Sequence, residues 1–205
     1  MATKRYFIGL ILLLTFCLRP DCRGQVGLTP NDSLREVIYK IALAEVGLRE
    51  PHGRNDHPRI LDYHRSVSSY LAKLKPIPPY CASFVYYCYS KAGLKPTAIS
   101  APARARDWFK VDSRIVLTQQ TLRGNRRMVK MPKRGDVVGY IFSGGNISHI
   151  EILDKIDIEE GYIYAIGANT SGSNAYNTVN REGDGVYYVR RRIKMFYRIA
   201  NIVGK

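Results

Sequence analysis

The sequence predicts an α+β domain in which N-terminal helices pack on an antiparallel β-sheet. Apolar residues at helical spacing dominate the first half of the chain, whereas short apolar or alternating runs bounded by turn residues dominate the second half. Helices followed by strands are the pattern of an α+β domain. The chain has 205 residues, of which 45% are hydrophobic, and this is sufficient for one packed core.

Helices are predicted where apolar periodicity coincides with start and stop signals. Ser33 starts the first helix, with Glu36 completing a capping box, and Gly47 is a natural stop. A proline-rich stretch, residues 75–79, enforces an extended approach to a segment without glycine or proline that ends at Gly93. The other predicted helices cover residues 58–65, 81–92 and 103–109.

Strands are predicted for the rest of the chain. Residues 118–131 are interpreted as a basic hairpin around Gly124 and Asn125. Five further runs are bounded by turn residues and are predicted as strands, at residues 136–142, 149–153, 162–166, 186–191 and 196–202.

The N-terminal segment, residues 1–24, has the layout of a secretory signal. Two basic residues precede an uncharged apolar run over residues 6–18, and Gly24 supplies a small residue for cleavage. The run is shorter than the roughly 20 residues that a spanning helix needs, which disfavours a permanent membrane helix. A lipid anchor on Cys17 is the other alternative, and the bulky Phe16 before it disfavours that form.

This segment predicts an exported protein, periplasmic or extracellular, whose association with the cell envelope stays open. Residues 25–32 are then a short leader, and residues 33–205 form the domain. Without residues 1–24 the chain keeps 28 basic and 16 acidic residues, a net charge of +12. Such a charge attracts polyanions in general, and an exported protein meets anionic cell-wall polymers and lipids first. No helix-turn-helix, zinc-finger or RNA-binding signature supports a specific nucleic-acid partner.

The cysteines of the predicted domain cannot pair with each other. Cys81 and Cys88 are separated by seven residues, which on a helix places their α-carbons about 10.5 Å apart. A disulfide tolerates only about 4.4–6.8 Å. An exported domain that keeps two unpaired thiols indicates a use for at least one of them. Cys88, two turns along the helix, is predicted to lie in the core.

Cys81 has the position of an activated nucleophile. The N-terminus of a helix presents unpaired N–H groups and a partial positive charge, which favour a thiolate. The same donors can hold the oxyanion that forms when the thiolate attacks an amide carbonyl. A buried structural cysteine is the alternative reading of Cys81 alone.

His149 and Asn169 are the candidate partners of Cys81. His149 begins a predicted strand after a glycine turn, from which it can act as general base and then general acid. Asn169 ends the next strand, where its amide oxygen could accept the proton of the far imidazole nitrogen. The remaining histidines are predicted to be surface or capping residues, with a shared metal site as the alternative: His52, His57 and His64.

These motifs together resemble the CHAP domain, a cysteine- and histidine-dependent amidohydrolase or peptidase related to the NlpC-type cell-wall peptidases. The resemblance rests on residues 79–85 around Cys81, residues 135–138, residues 148–150 around His149 and residues 167–171, in colinear order. It implies a papain-like fold, with Cys81 as nucleophile, His149 as base and Asn169 beside the imidazole. It implies no metal or organic cofactor. One departure is Gly167, where many CHAP domains carry glutamate.

The predicted function is therefore that of an exported peptidoglycan hydrolase, an N-acetylmuramoyl-L-alanine amidase or a peptide-stem endopeptidase, acting through an acyl-enzyme. Its expected partners are peptidoglycan and anionic cell-wall polymers. The alternatives are an inactive wall-binding protein that keeps the fold, which Gly167 favours, and the same chemistry directed at another amide or used as a toxin. The sequence predicts neither the bond that is cut nor the oligomeric state.

Overall fold

A computed structural model describes residues 29–124, 131–142, 144–171 and 184–204. The predicted signal, residues 1–24, and residues 25–28 of the predicted leader lie outside them. The helices are α1 (Pro30–Ala44), α2 (Pro58–Val67), α3 (Cys81–Lys91) and α4 (Gln119–Gly124). The strands are β1 (Ile115–Thr118), β2 (Val137–Tyr140), β3 (His149–Asp157), β4 (Tyr162–Thr170), β5 (Gly185–Arg192) and β6 (Phe196–Ala200). The predicted α+β class is confirmed.

The strands form one antiparallel sheet in the order β1-β6-β2-β3-β4-β5. Helices α1 and α3 pack over one face of this sheet, where α3 contacts β3 and β4, and α2 packs against α3. Apolar side chains of these helices share a core with residues such as Ile150, Ile166 and Val186. The other face carries a separate apolar cluster that includes Leu122 of α4 and Leu153. None of the helices in the described ranges is long and apolar enough to cross a membrane.

Helix α1 begins at Pro30, so the prediction of a start at Ser33 with a capping box is wrong. The Thr29 side chain caps the helix by accepting the Asp32 N–H at 3.1 Å, and proline occupies the first turn, where no N–H is needed. Glu36 is then free to pair with Arg134 on the surface, at 3.1 Å. The predicted stop is close to correct, since α1 ends at Ala44.

The predicted basic hairpin over residues 118–131 is also wrong where the structure describes it. Residues up to Thr118 form strand β1, which pairs with β6, and the chain then turns into helix α4. The Thr118 hydroxyl accepts the Thr121 N–H at 3.0 Å, and Leu122 is buried against the sheet. A local cap and one apolar anchor therefore override the strand-like composition. Residues 125–130 lie outside the described part.

The approach to α3 is organised by His64, which is completely buried, contrary to the prediction that it lies on the surface or caps a helix. Its two ring nitrogens lie 3.0 Å from the Ser83 hydroxyl and 3.1 Å from the Pro78 carbonyl oxygen. His64 thereby ties the proline segment to the first turn of α3. The predictions for the histidines at positions 52 and 57 are confirmed. His57 caps α2 by accepting the Arg59 N–H, and His52 is exposed.

Candidate active site

Cys81 is the first residue of α3, and His149 is the first residue of β3. Cys81 is 6% exposed and His149 is fully buried, and the thiol interacts with the imidazole. The structure thus brings the two predicted residues together. Because the contact between α3 and β3 is part of the main core, the position of the thiol relative to the ring depends on the whole packing of helices on the sheet.

The far nitrogen of His149 is bound by Glu151. Residues two apart on a strand point to the same face, and Nε2 of His149 lies 3.1 Å from Oε1 of Glu151. With the carboxylate ionised, Nε2 carries the proton and donates it. Nδ1 has no hydrogen-bond partner among the residues that the structure describes, so it is the nitrogen left to exchange a proton with the Cys81 thiol.

Arg191 of β5 binds the same oxygen of the Glu151 carboxylate as His149 does. Its Nε and Nη2 both donate to Oε1 of Glu151, at 2.7 and 2.5 Å, and Nη2 also donates to the Thr170 hydroxyl at 3.0 Å. The Arg191 guanidinium lies 5.5 Å from the centre of the Tyr140 ring. Every member of this network is fully buried, so the charges interact with little screening by solvent.

The protonation states follow from these contacts. Burial by itself opposes the ionised form of Glu151, but the Arg191 charge and the His149 hydrogen bond lower its pKa from 4.5 to about 2. Burial also opposes the charged imidazole, but the Cys81 thiol and the Glu151 carboxylate together raise the pKa of His149 above 6.5. Glu151 therefore stays ionised at neutral pH and favours an imidazolium next to the thiol.

Gly167 leaves the space that Glu151 fills. The two residues are paired across β4 and β3, and a Cβ added at Gly167 would lie 2.7 Å from Oε1 of Glu151. A glutamate at position 167 and the observed Glu151 conformation are thus mutually exclusive. In this chain the carboxylate belongs to β3, the strand of His149, and not to β4, the strand of Gly167.

Asn169 lies close to the same region on β4, 2% exposed and with a φ of 55°. Its backbone approaches the hydroxyl of Tyr80, the residue before Cys81. The predicted contact of its side chain with His149 stays a prediction, and the observed partner of Nε2 is Glu151.

The start of α3 supplies backbone donors beside the thiol. The first intrahelical bond runs from the Phe84 N–H to the Tyr80 carbonyl, at 2.8 Å. The N–H groups of the first three residues, Cys81 to Ser83, therefore have no acceptor within the helix. Such groups can stabilise an oxyanion formed at the thiol.

A groove of about 490 Å³ opens beside Cys81. Pro78 and Pro79 form one wall, residues 103–106 lie at one side, and Gly144 and residues 146–148 of the loop before β3 lie at another. Its volume is in the range of about 300–1,000 Å³ that is usual for small-ligand sites. The nucleophile is thus reachable although its side chain is mostly buried.

Two other predictions concern cysteine pairing and metals. Cys81 and Cys88 are both free, and Cys88 is fully buried in the core as predicted, where burial raises its thiol pKa well above 9.0. Within the described ranges no group of three or more His, Cys, Asp or Glu side chains could hold a metal ion.

Comparison of the chain with protein-family models, with curated proteins and with solved structures gave no match. The geometry of the site is an ordered line of thiol, imidazole, carboxylate and guanidinium that starts at a groove and ends in the core.

Glu151 and Arg191 were not predicted as site residues. A signal for Glu151 was present, since it is the only charged residue in the otherwise apolar run from Ile150 to Leu153 and is two residues from His149. Arg191 had no comparable signal, because it stands among three consecutive arginines of which only this one is buried.

Proposed function

We propose that this chain is an exported cysteine hydrolase of the CHAP type, with a papain-like fold, that cuts amide bonds in peptidoglycan. The observation that carries the proposal is the buried line from Cys81 through His149 to Glu151, with the thiol at the wall of a groove. A cysteine that served packing alone would need neither an adjacent histidine nor a buried carboxylate behind it. The signal-like first 24 residues, and the net charge of +12 of the chain without them, support a target outside the cell with many anionic groups.

The reaction would proceed in two halves. The Cys81 thiolate attacks the carbonyl carbon, a C–S bond forms, and backbone N–H groups of the first turn of α3 hold the oxyanion. The C–N bond then breaks, and the amine leaves with the proton of the His149 imidazolium. In the second half His149 takes a proton from water, the resulting hydroxyl attacks the thioester, and the C–S bond breaks to release the acid.

Glu151 supports both halves without touching the substrate. Its carboxylate accepts a hydrogen bond from the Nε2–H of His149, so it holds the ring in the tautomer and orientation that leave Nδ1 towards the thiol. Arg191 keeps that carboxylate ionised and in place. These are positioning roles. They also weaken the argument for an inactive protein, because Glu151 supplies the carboxylate that is absent at position 167.

The experiment is a digest of purified peptidoglycan by the full chain, with its thiols reduced, analysed by mass spectrometry. New amine and carboxyl ends are expected with wild type and with Cys88→Ala, and none with Cys81→Ala, at a loss of about 10³-fold or more. Cys88→Ala is the matched control because it removes the other thiol of the same helix. Intact muropeptides from the walls of several bacteria, with folded wild-type protein, would contradict the proposal and favour the wall-binding alternative.

A further inference from the structure

The groove beside Cys81 has positively charged side chains in its lining. Arg104 and Arg106 both line it, and their side chains are 53% and 50% exposed. No acidic side chain lines the groove in the part of the chain that the structure describes. A substrate that reaches the thiol therefore passes two guanidinium groups and no described carboxylate.

A single buried carboxylate holds this charge in place. Asp107, whose side chain is fully buried, lies 3.0 Å from Arg104, 3.9 Å from Arg106 and 2.7 Å from Lys110. Burial opposes its ionisation, but the Lys110 and Ser100 hydrogen bonds and the nearby cations lower its pKa below 3.8. One negative charge cannot neutralise three positive ones. Asp107 thus anchors the arginine segment while an excess of positive charge remains at the groove.

We propose that Arg104 and Arg106 select substrates that carry a free carboxylate near the scissile amide, so that the substrate class is an acidic peptide. This inference rests on the proposed hydrolase function. A planar guanidinium matches a carboxylate with two parallel hydrogen bonds, and a charge-assisted pair of this kind is about twice as strong as a neutral hydrogen bond.

The rest of the groove fits a peptide better than a compact anion. Pro78, Pro79 and Ile147 give it apolar walls, and Asn146 and Ser148 add polar residues to its lining. A phosphate or sulfate alone would engage the arginines but would present no carbonyl carbon to Cys81. A peptide segment can do both, because its carboxylate can pair with the arginines while one of its backbone amides lies at the thiol in the same groove.

The test compares two preparations of the same peptidoglycan with the full chain. In one, carbodiimide and ammonium chloride convert the free carboxylates into carboxamides; the other is left untreated. Initial rates of Cys81-dependent amine release are measured for wild type and for Arg104→Gln/Arg106→Gln. Wild type is expected to cut the untreated wall about tenfold faster, and the double variant is expected to cut both walls at the same slow rate.

Two further variants separate the groove from general charge and from folding. Arg123→Gln/Lys194→Gln removes two exposed charges elsewhere on the chain and should keep the wild-type preference. Arg104→Lys/Arg106→Lys keeps the charges that pair with Asp107 and should keep part of the preference, because lysine attracts a carboxylate but cannot form the planar fork.

Three other outcomes would contradict either the carboxylate inference or the proposed function. Equal wild-type rates on the two walls, with cleavage still dependent on Cys81, would overturn the carboxylate inference and leave the hydrolase proposal intact. An equal loss of preference in Arg123→Gln/Lys194→Gln would overturn it as well, since overall charge would then explain the effect. No Cys81-dependent cleavage of either wall would overturn the proposed function, and this inference with it.

Discussion

The part of the chain that the structure describes contains two arginine–carboxylate pairs in which both side chains are buried, and the two pairs do different things. Arg35 of α1 lies 2.5 Å from Asp136, and Arg191 of β5 lies 2.5 Å from Glu151, with all four side chains buried. Arg35 also binds the Arg134 carbonyl and Asn201, and Asp136 also accepts the Lys133 N–H. These further partners are two backbone groups and a side-chain amide, which neither gain nor lose a proton. The pair fastens α1 to the turn before β2.

The Arg191–Glu151 pair has one partner that can gain or lose a proton. Glu151 contacts Nε2 of His149, and His149 interacts with the only thiol that lines the described groove. A buried ion pair thus becomes part of a candidate site when one of its members also contacts a group that can gain or lose a proton. Burial and short distances alone do not distinguish the two pairs.

Loss of either arginine should have the largest effect on stability. Arg191→Met or Arg35→Met leaves a buried carboxylate without its cation, and we expect each to lower the free energy of unfolding by about 3–5 kcal/mol. Urea denaturation followed by circular dichroism measures it. A loss below about 1 kcal/mol for Arg191→Met would mean that the Glu151 charge is satisfied in another way.

The carboxylates of Glu151 and Asp136 should differ in their importance for activity. Glu151→Gln removes the charge that favours the His149 imidazolium, and we expect kcat/KM for wall hydrolysis to fall by about 10²-fold. Asp136→Asn, measured under conditions where it is folded, should keep kcat/KM near the wild-type value. Similar losses in both variants would show that the distinction between the pairs is wrong.

A smaller effect is expected from filling the space next to Glu151. The added methyl of Gly167→Ala would lie 2.7 Å from Oε1 of Glu151, so the carboxylate must shift away from His149. We expect kcat/KM to fall by about tenfold. Gly124→Ala is the matched control, because nothing lies within 4 Å of its added methyl. Equal activity of the two variants would mean that the exact placement of Glu151 is unimportant.

The sequence was sufficient for the parts that depend on local signals. The proline approach and the uninterrupted apolar segment predicted α3 and the position of Cys81, and the glycine turn before an apolar run predicted His149 at the start of β3. The predictions that Cys88 is unpaired and that it lies in the core agree with the structure.

Long-range pairing explains what the sequence could not predict. Glu151 meets Arg191 only because β4 lies between β3 and β5 and brings side chains 40 positions apart into contact. Residues 119–124 form a helix because of tertiary packing of Leu122 and a threonine cap, although their neighbours resemble a strand. His64 is buried because the proline segment folds back over it, which no local pattern indicates.

The most direct test of the account is the pH dependence of kcat/KM in wild type and in Glu151→Gln. Amine release needs the protonated imidazole, and Glu151 helps raise the pKa of His149, so the wild-type rate should persist above pH 6.5 before it declines. Removing the carboxylate lowers that pKa, and the alkaline decline should move to lower pH in Glu151→Gln but not in Asp136→Asn. An alkaline limb that is identical in all three proteins would contradict the role assigned to Glu151.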